Sequence, residues 1–186
     1  MSLPLIIAIA VVVLLAIWLV VTRNSMIAAR NRVDEAWSGI DVQLKRRRDL
    51  IPNLVETVKG YATHEQRVFT DVTEARAAAD RATGVRETQQ AERRLSESLL
   101  QVRAVAESYP SLRASENFQA LQAELADTED QIQASRRIYN SNVRDYNTKI
   151  QVFPSALVAA STGFKPREFF EIDAPSEREP VQVSFS

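Results

Sequence analysis

Apolar residues return at alternating steps of four and three through residues 31–61, NRVDEAWSGIDVQLKRRRDLIPNLVETVKGY. Val33, Trp37, Ile40, Leu44, Ile51, Leu54, Val58 and Tyr61 make the stripe, and Arg47 fills the one gap. That spacing is one face of an amphipathic helix, and such a face needs a partner surface. The register runs on through Glu65, Val68, Val72, Ala75 and Ala79, so the first helix is expected to reach about residue 79. A repeat of about 3.5 residues implies a left-handed supercoil with its partners. Only Pro52 and Gly60 stand against continuous helix. Pro52 deletes a backbone donor and collides with the carbonyl of Arg48, which predicts a kink. A complete break at Ile51 would instead give two helices and a four-helix bundle. Trp37 is read as core, its indole N–H needing a carboxylate or carbonyl partner.

Two more stripes follow. Residues 80–88, DRATGVRET, read as a turn with Gly84 available for positive φ. Ala91, Leu95, Leu99, Val102, Val105 and Ala106 mark a second helix over residues 89–107, which ends before Pro110. Ser115 or Asn117 can cap a third helix, with Glu116 in its first turn. That helix carries Phe118, Leu121, Leu125, Ile132, Tyr139, Tyr146 and Phe153, with Thr128, Ser135, Asn142 and Lys149 between them. Tyr139-Asn140 and Tyr146-Asn147 repeat at one heptad. They read either as a satisfied polar layer inside a bundle or as a docking face for a partner. The expected extramembrane lengths, about 56, 25 and 38 residues, do not match, so part of the apolar seam calls for cover by the tail or by another copy.

Ahead of the stripe, residues 3–21, LPLIIAIAVVVLLAIWLVV, carry no charged or polar side chain. As a helix these nineteen residues span about 28 Å, close to the thickness of a bilayer's hydrocarbon core. No basic residue precedes them and no small-x-small site ends them, which favours an uncleaved anchor over a signal peptide. Arg23, Arg30 and Arg32 follow closely, so the positive-inside rule predicts an outside N-terminus and a cytoplasmic helical domain at the inner membrane.

Composition narrows the chemistry. The 186 residues include no cysteine and one histidine, which removes thiolate chemistry and disfavours an all-protein zinc cage. A net charge of −1 gives no global field for nucleic acid. Asp41, Asp49, Glu56, His64 and Glu65 are the candidate acids and bases, yet no G-x-S-x-G, H-E-x-x-H or phosphate loop accompanies them. No enzyme activity and no cofactor is expected. The densest charge is the run Lys45, Arg46, Arg47, Arg48. It is read as a contact for acidic lipid or an acidic partner, or as a solvated face beside Asp41 and Asp49. A straight upright helix lifts Lys45 about 33 Å from the bilayer, which weakens the lipid reading. Arg47, inside the stripe, either snorkels or pairs with an acidic residue across the bundle.

The stretches AWSGIDVQLKRRRDLIPNLVETVKGYATHE, AESYPSLRASENFQALQAEL, RRIYNSNVRDYNTKIQVFP and GFKPREFFE together resemble the LemA family over about residues 22–171. Matching positions include Trp37, Arg46, Arg47, Pro52, Gly60, His64, Tyr139, Asn140, Tyr146 and Asn147; Gly39 departs from the larger polar residue many relatives have. The resemblance implies a single-anchor membrane protein with an extended antiparallel helical bundle and no catalytic motif. Some members of that family belong to magnetosome membrane systems and others are encoded near membrane proteases or TPM-domain proteins, so the resemblance points to membrane organisation or quality control.

The expectation is an all-α chain: an N-terminal transmembrane helix and an elongated antiparallel three-helix bundle, four helices if broken at Pro52. Residues 1–22 form the anchor, 23–153 the bundle, 154–173 an ordered tail and 174–186 a flexible end in which VQVSF is a weak candidate strand. The function expected is a scaffold or adaptor that self-assembles and organises partner membrane proteins. A membrane-surface or anionic-lipid-binding element and an accessory factor of membrane protein quality control are the alternatives. Its partners would be the lipid bilayer, further copies of the chain and other membrane proteins. Lys45, Arg46, Arg47, Arg48, Tyr139, Asn140, Tyr146 and Asn147 are the candidate contacts, with Trp37, Pro52 and Gly60 structural.

Overall fold

The computed structural model describes residues 2–62 and 64–171; the expected mobile end at 174–186 lies outside them. Among the described residues every regular element is helical: α1 (Leu3–Lys59), α2 (Gln66–Arg81), α3 (Gly84–Glu107), α4 (Pro110–Arg113), α5 (Glu116–Gln151) and α6 (Ser155–Thr162). The all-α class holds. The described chain divides into two compact units, one of residues 2–39 and 137–169, the other of residues 40–136 and 170–171.

In the first unit α1 begins with the apolar stretch, whose side chains are all solvent-facing, and it is the one described helix long and apolar enough to cross a membrane. Past Val21 the same helix runs antiparallel to the last part of α5. Ser25 meets Lys149, Arg32 meets Asn142 and Trp37 meets Tyr139. Met26, Ala29 and Val33 are buried, as are Tyr139, Val143, Tyr146 and Ile150. Ser155 donates to the carbonyl of Lys149 at 2.7 Å where α5 gives way to α6. Val158 and Ala159 of α6 are buried. Gly163, at φ 75°, ends α6 in the left-handed conformation that favours glycine. The backbone of residues 164–169 then runs without regular secondary structure.

The second unit is a bundle of four helical stretches, the end of α1, then α2, α3 and the start of α5. Their order follows from short connections. Lys59 stands over Phe69 across the first turn. Arg48 meets Asp80 farther along, so α1 and α2 are antiparallel. Only residues 82–83 separate α2 from α3, and Gly84 opens α3 at φ 74°. The core joins Ile51, Leu54, Val55, Val58, Ala62, Phe69, Val72, Ala75, Ala79, Leu95, Val102, Ala106, Leu112 and Phe118.

One expectation about the first helix needs correction: it does not reach residue 79. Pro52 lies inside α1, so the helix continues through it as expected and the alternative break at Ile51 does not occur. The fourth helix arises because α1 ends at Lys59. Gly60 is a poor helix former; beyond it Tyr61 N–H and Ala62 N–H both donate to the carbonyl of Val58, at 3.0 and 2.9 Å, which tightens the last turn. Ala62 is then buried, while Tyr61, expected on the stripe, is 44% exposed. Val72, Ala75 and Ala79 keep their buried register, but on a separate helix folded back on the first.

The case for assembly from unmatched lengths fails with this turn. Ile40, Leu44, Ile51, Leu54 and Val58 are each at most 2% exposed within the single chain. The seam is closed by the chain's own helices. Phe153, expected on the third stripe, stands 82% exposed instead.

Candidate partner and lipid surfaces

The four-residue basic run does not act as one patch. Consecutive helical residues point about 100° apart, so the run is shared between solvent and core. Lys45 is exposed and pairs with Asp49 one turn on, at 3.1 Å. Arg46 is half-exposed and lies 3.2 Å from Asp127 on α5. Arg47 and Arg48 are buried, at 3% and 7% exposure. Arg47 donates to Glu92 at 2.5 Å and to Glu129 at 2.8 Å; Arg48 donates to the other oxygen of Glu92 at 2.6 Å. The Nε of Arg48 lies 2.9 Å from Asp80, which also faces Arg76 at 3.6 Å. Three guanidinium groups therefore meet three carboxylates around Glu92, which is 0% exposed. Buried charge is tolerated only when paired and hydrogen-bonded in this way. The across-bundle pairing expected of Arg47 is observed, and two of the four cations are not free for lipid or a partner.

Pro52 belongs to the same cluster. A proline leaves the carbonyl four residues earlier without its helical donor. Here that carbonyl is Arg48, and it accepts a hydrogen bond from Arg76 Nε of α2 at 2.9 Å. A side chain from the next helix thus replaces the missing N–H, which explains how α1 continues past Pro52.

In the first unit the tyrosine–asparagine repeat holds the tail. Tyr139 donates to the carbonyl of Glu168 at 2.8 Å, and Tyr146 to that of Lys165 at 2.9 Å. Asn147 donates to the carbonyl of Arg167 at 2.9 Å and accepts from its N–H at 2.8 Å. The amide thus pairs both backbone groups of one residue, as a neighbouring strand would. Arg167 in turn reaches Asp34 at 2.7 Å, and Arg30 lies over the Phe164 ring. Trp37 packs on Tyr139 with centroids 5.4 Å apart. Burial pushes the Tyr139 hydroxyl up to about 12, with Arg167 opposing the shift. The Tyr146 hydroxyl is also raised by burial. Tyr139, Tyr146 and Asn147 are thus satisfied within the chain, by the backbone of residues 165–168.

Sequence reasoning missed Glu92 and Arg76. Glu92 had a signal: it stands in an apolar slot between Thr88 and Leu95, as Arg47 does on its own helix, and two opposite charges in facing stripes predict a pair. Phe170, in the tail expected to be ordered, has an exposure of 0%. His64 is exposed, and no group of three or more metal-binding side chains stands together among the described residues. A groove of about 460 Å³ in the second unit is lined by Leu54, Leu99, Leu100 and Leu125, with Arg93, Arg103, Glu97 and Glu129 around them.

The sequence model of the LemA family matches residues 36–185. The chain is similar to the magnetosome protein MamQ 2 of Paramagnetospirillum magneticum, 23% identical over 184 residues, 85% of this chain and 67% of that one. It is 23% identical to the magnetosome protein MamQ of Magnetospirillum gryphiswaldense over 170 residues, 77% of this chain and 62% of the relative. It is 27% identical to Protein LemA of Metamycoplasma hominis over 168 residues, 88% of this chain and 74% of the relative. The chain thus spans about two-thirds of the length of the MamQ relatives.

Proposed function

From the premise that the chain belongs to the LemA family, we propose that it is a membrane-anchored helical scaffold that self-assembles and organises partner membrane proteins. The observation that carries this reading is the unbroken course of α1. It leaves the apolar stretch as helix and is tied to α5 at Ser25, Arg32 and Trp37 without an intervening linker. An anchor continued by flexible chain would be a tether; one continued by packed helix is a fixed mount. The relatives named as magnetosome proteins fit a role at a membrane.

The contact surface we assign is the leucine-lined groove between α3 and α5. Leu100 in its lining is 65% exposed, and charges of both signs rim it. An apolar floor with a polar rim suits the apolar face of a helix, from a second copy or another membrane protein. This groove replaces the unmatched seam as the ground for assembly.

A photo-crosslinking residue at position 100 tests the reading in native membranes. Discrete adducts with a second copy or with another membrane protein are expected, and none from the same residue at position 70 on α2. A chain that runs as a monomer in mild detergent and gives no position-specific adducts would overturn it.

A further inference from the structure

We propose that the corner between α5 and α6, with Phe153 and Leu157 at its tip, dips into the interfacial layer of the bilayer that α1 crosses. It rests on the reading of α1 as a membrane anchor. Lys149 Nζ donates to Ser25 Oγ at 2.8 Å. Ser25 is four residues past Val21, so this tie lies about 6 Å beyond the end of the apolar stretch along the helix axis. Because α5 runs antiparallel to α1, each residue after Lys149 moves back towards that stretch. Val152 comes about 4.5 Å closer and so reaches the level of Thr22. The surroundings agree: Val21, Thr22, Val152 and Ser155 line one cavity of about 510 Å³.

The side chains that meet solvent there are the wrong kind for water. Phe153 is 82% exposed, Leu157 64% and Val152 47%. The intervening helix, SALVAAST, has no charged residue. Its Val158 and Ala159 pack inward while Leu157 points out. A helix without a charged face is at home in a core or at a membrane, not on a hydrated surface. Next to this apolar tip the chemistry changes to that of a headgroup layer. Arg144, Lys149 and the hydroxyls of Thr22, Ser25, Thr148 and Ser155 line the same cavity, with Asp145 the one acid. Arg23 stands two residues past the end of the apolar stretch. Apolar residues towards the acyl chains and cations beside the phosphates are the order an interfacial anchor requires.

The chain has no cysteine, so single cysteines can carry an environment-sensitive fluorophore in the full chain. Phe153→Cys and Leu157→Cys are compared with Leu15→Cys in the apolar stretch and with Ser38→Cys, about 25 Å past it on α1. The probe membrane is phosphatidylcholine with phosphatidylglycerol, with shallow spin-labelled lipid or aqueous iodide as quencher. Labels at 153 and 157 are expected to shift to the blue, to be quenched by the shallow lipid and to lose iodide quenching, while the label at 38 stays open to iodide. Labels at 153 and 157 as open to iodide as that at 38, with the label at 15 protected, would overturn the corner contact alone. A label at 15 open to iodide would remove the anchor and this inference with it.

Discussion

Tyr139 shows how one side chain joins packing, hydrogen bonding and pH response. Its hydroxyl sits on the Glu168 carbonyl, and its pKa is raised by burial from about 10 to about 12. A proton held more tightly in the folded state contributes stability that is complete below the unfolded pKa. That contribution is lost as pH rises from about 10 through about 12. Tyr139→Phe is therefore expected to cost about 1 kcal/mol at neutral pH, for the hydrogen bond, and to flatten the alkaline loss. Urea midpoints at pH 8 and pH 11 check both; an equal alkaline loss in the variant would refute the assignment. Glu92 is the second test at this scale. Glu92→Gln leaves two buried guanidinium groups short of a carboxylate and should cost about 3–5 kcal/mol. Replacing Arg47, Arg48 and Glu92 together by Met, Met and Leu should cost much less, because no buried charge at the centre is then left unpaired. Denaturant unfolding of the two variants reads the difference.

At the scale of the element, α1 and α2 are coupled through one carbonyl. Pro52 leaves the Arg48 oxygen without its helical donor, and Arg76 supplies another at 2.9 Å. Arg76→Leu should cost about 1–3 kcal/mol while Pro52 is present, since a buried acceptor loses its partner. With Pro52→Ala the backbone N–H of residue 52 can serve that acceptor, so the same Arg76 substitution should cost less. A double-mutant cycle by urea unfolding measures this coupling, and strictly additive costs would count against it. The tail is an element of another kind. Its backbone at residues 165–168 has side chains of α5 for hydrogen-bonding partners, where a strand would have a neighbouring strand. Surface pairs such as Arg167 with Asp34 add little to that; the buried tyrosines carry the contact.

For the molecule as a whole, the apolar residues 3–21 find no cover among the described residues, while the seam on α1 from Ile40 to Val58 is covered by the chain's own helices. Exposing nineteen apolar residues to water is unfavourable at roughly 25 cal/mol per Å² of apolar surface, so this stretch governs solubility. The full chain should resist extraction of membranes by alkaline carbonate, and a chain beginning at residue 23 should appear in the soluble fraction. Release of the full chain by carbonate would contradict the anchor. Both units bury their own seams, so removing the anchor is expected to leave far-ultraviolet circular dichroism of the remaining residues helical.

Sequence alone determined what depends on neighbours along the chain. Helical class, the apolar stretch, the left-handed glycine at 84 and most of the buried positions follow from periodicity and local backbone preference, which act within a few residues. It also marked Arg47, Tyr139 and Tyr146 as out of place on apolar stripes, without naming what they meet. Tertiary structure decided those partners: Glu92 lies 45 residues from Arg47, and the Glu168 carbonyl lies 29 residues from Tyr139. It also decided that α1 turns back at Gly60 and passes through Pro52. A heptad register continues in phase across a short turn, so periodicity could not tell one long helix from two folded together. The choice rests on which surfaces meet, and on Arg76 being at hand for one carbonyl, and contacts between distant residues exist only once the chain has folded.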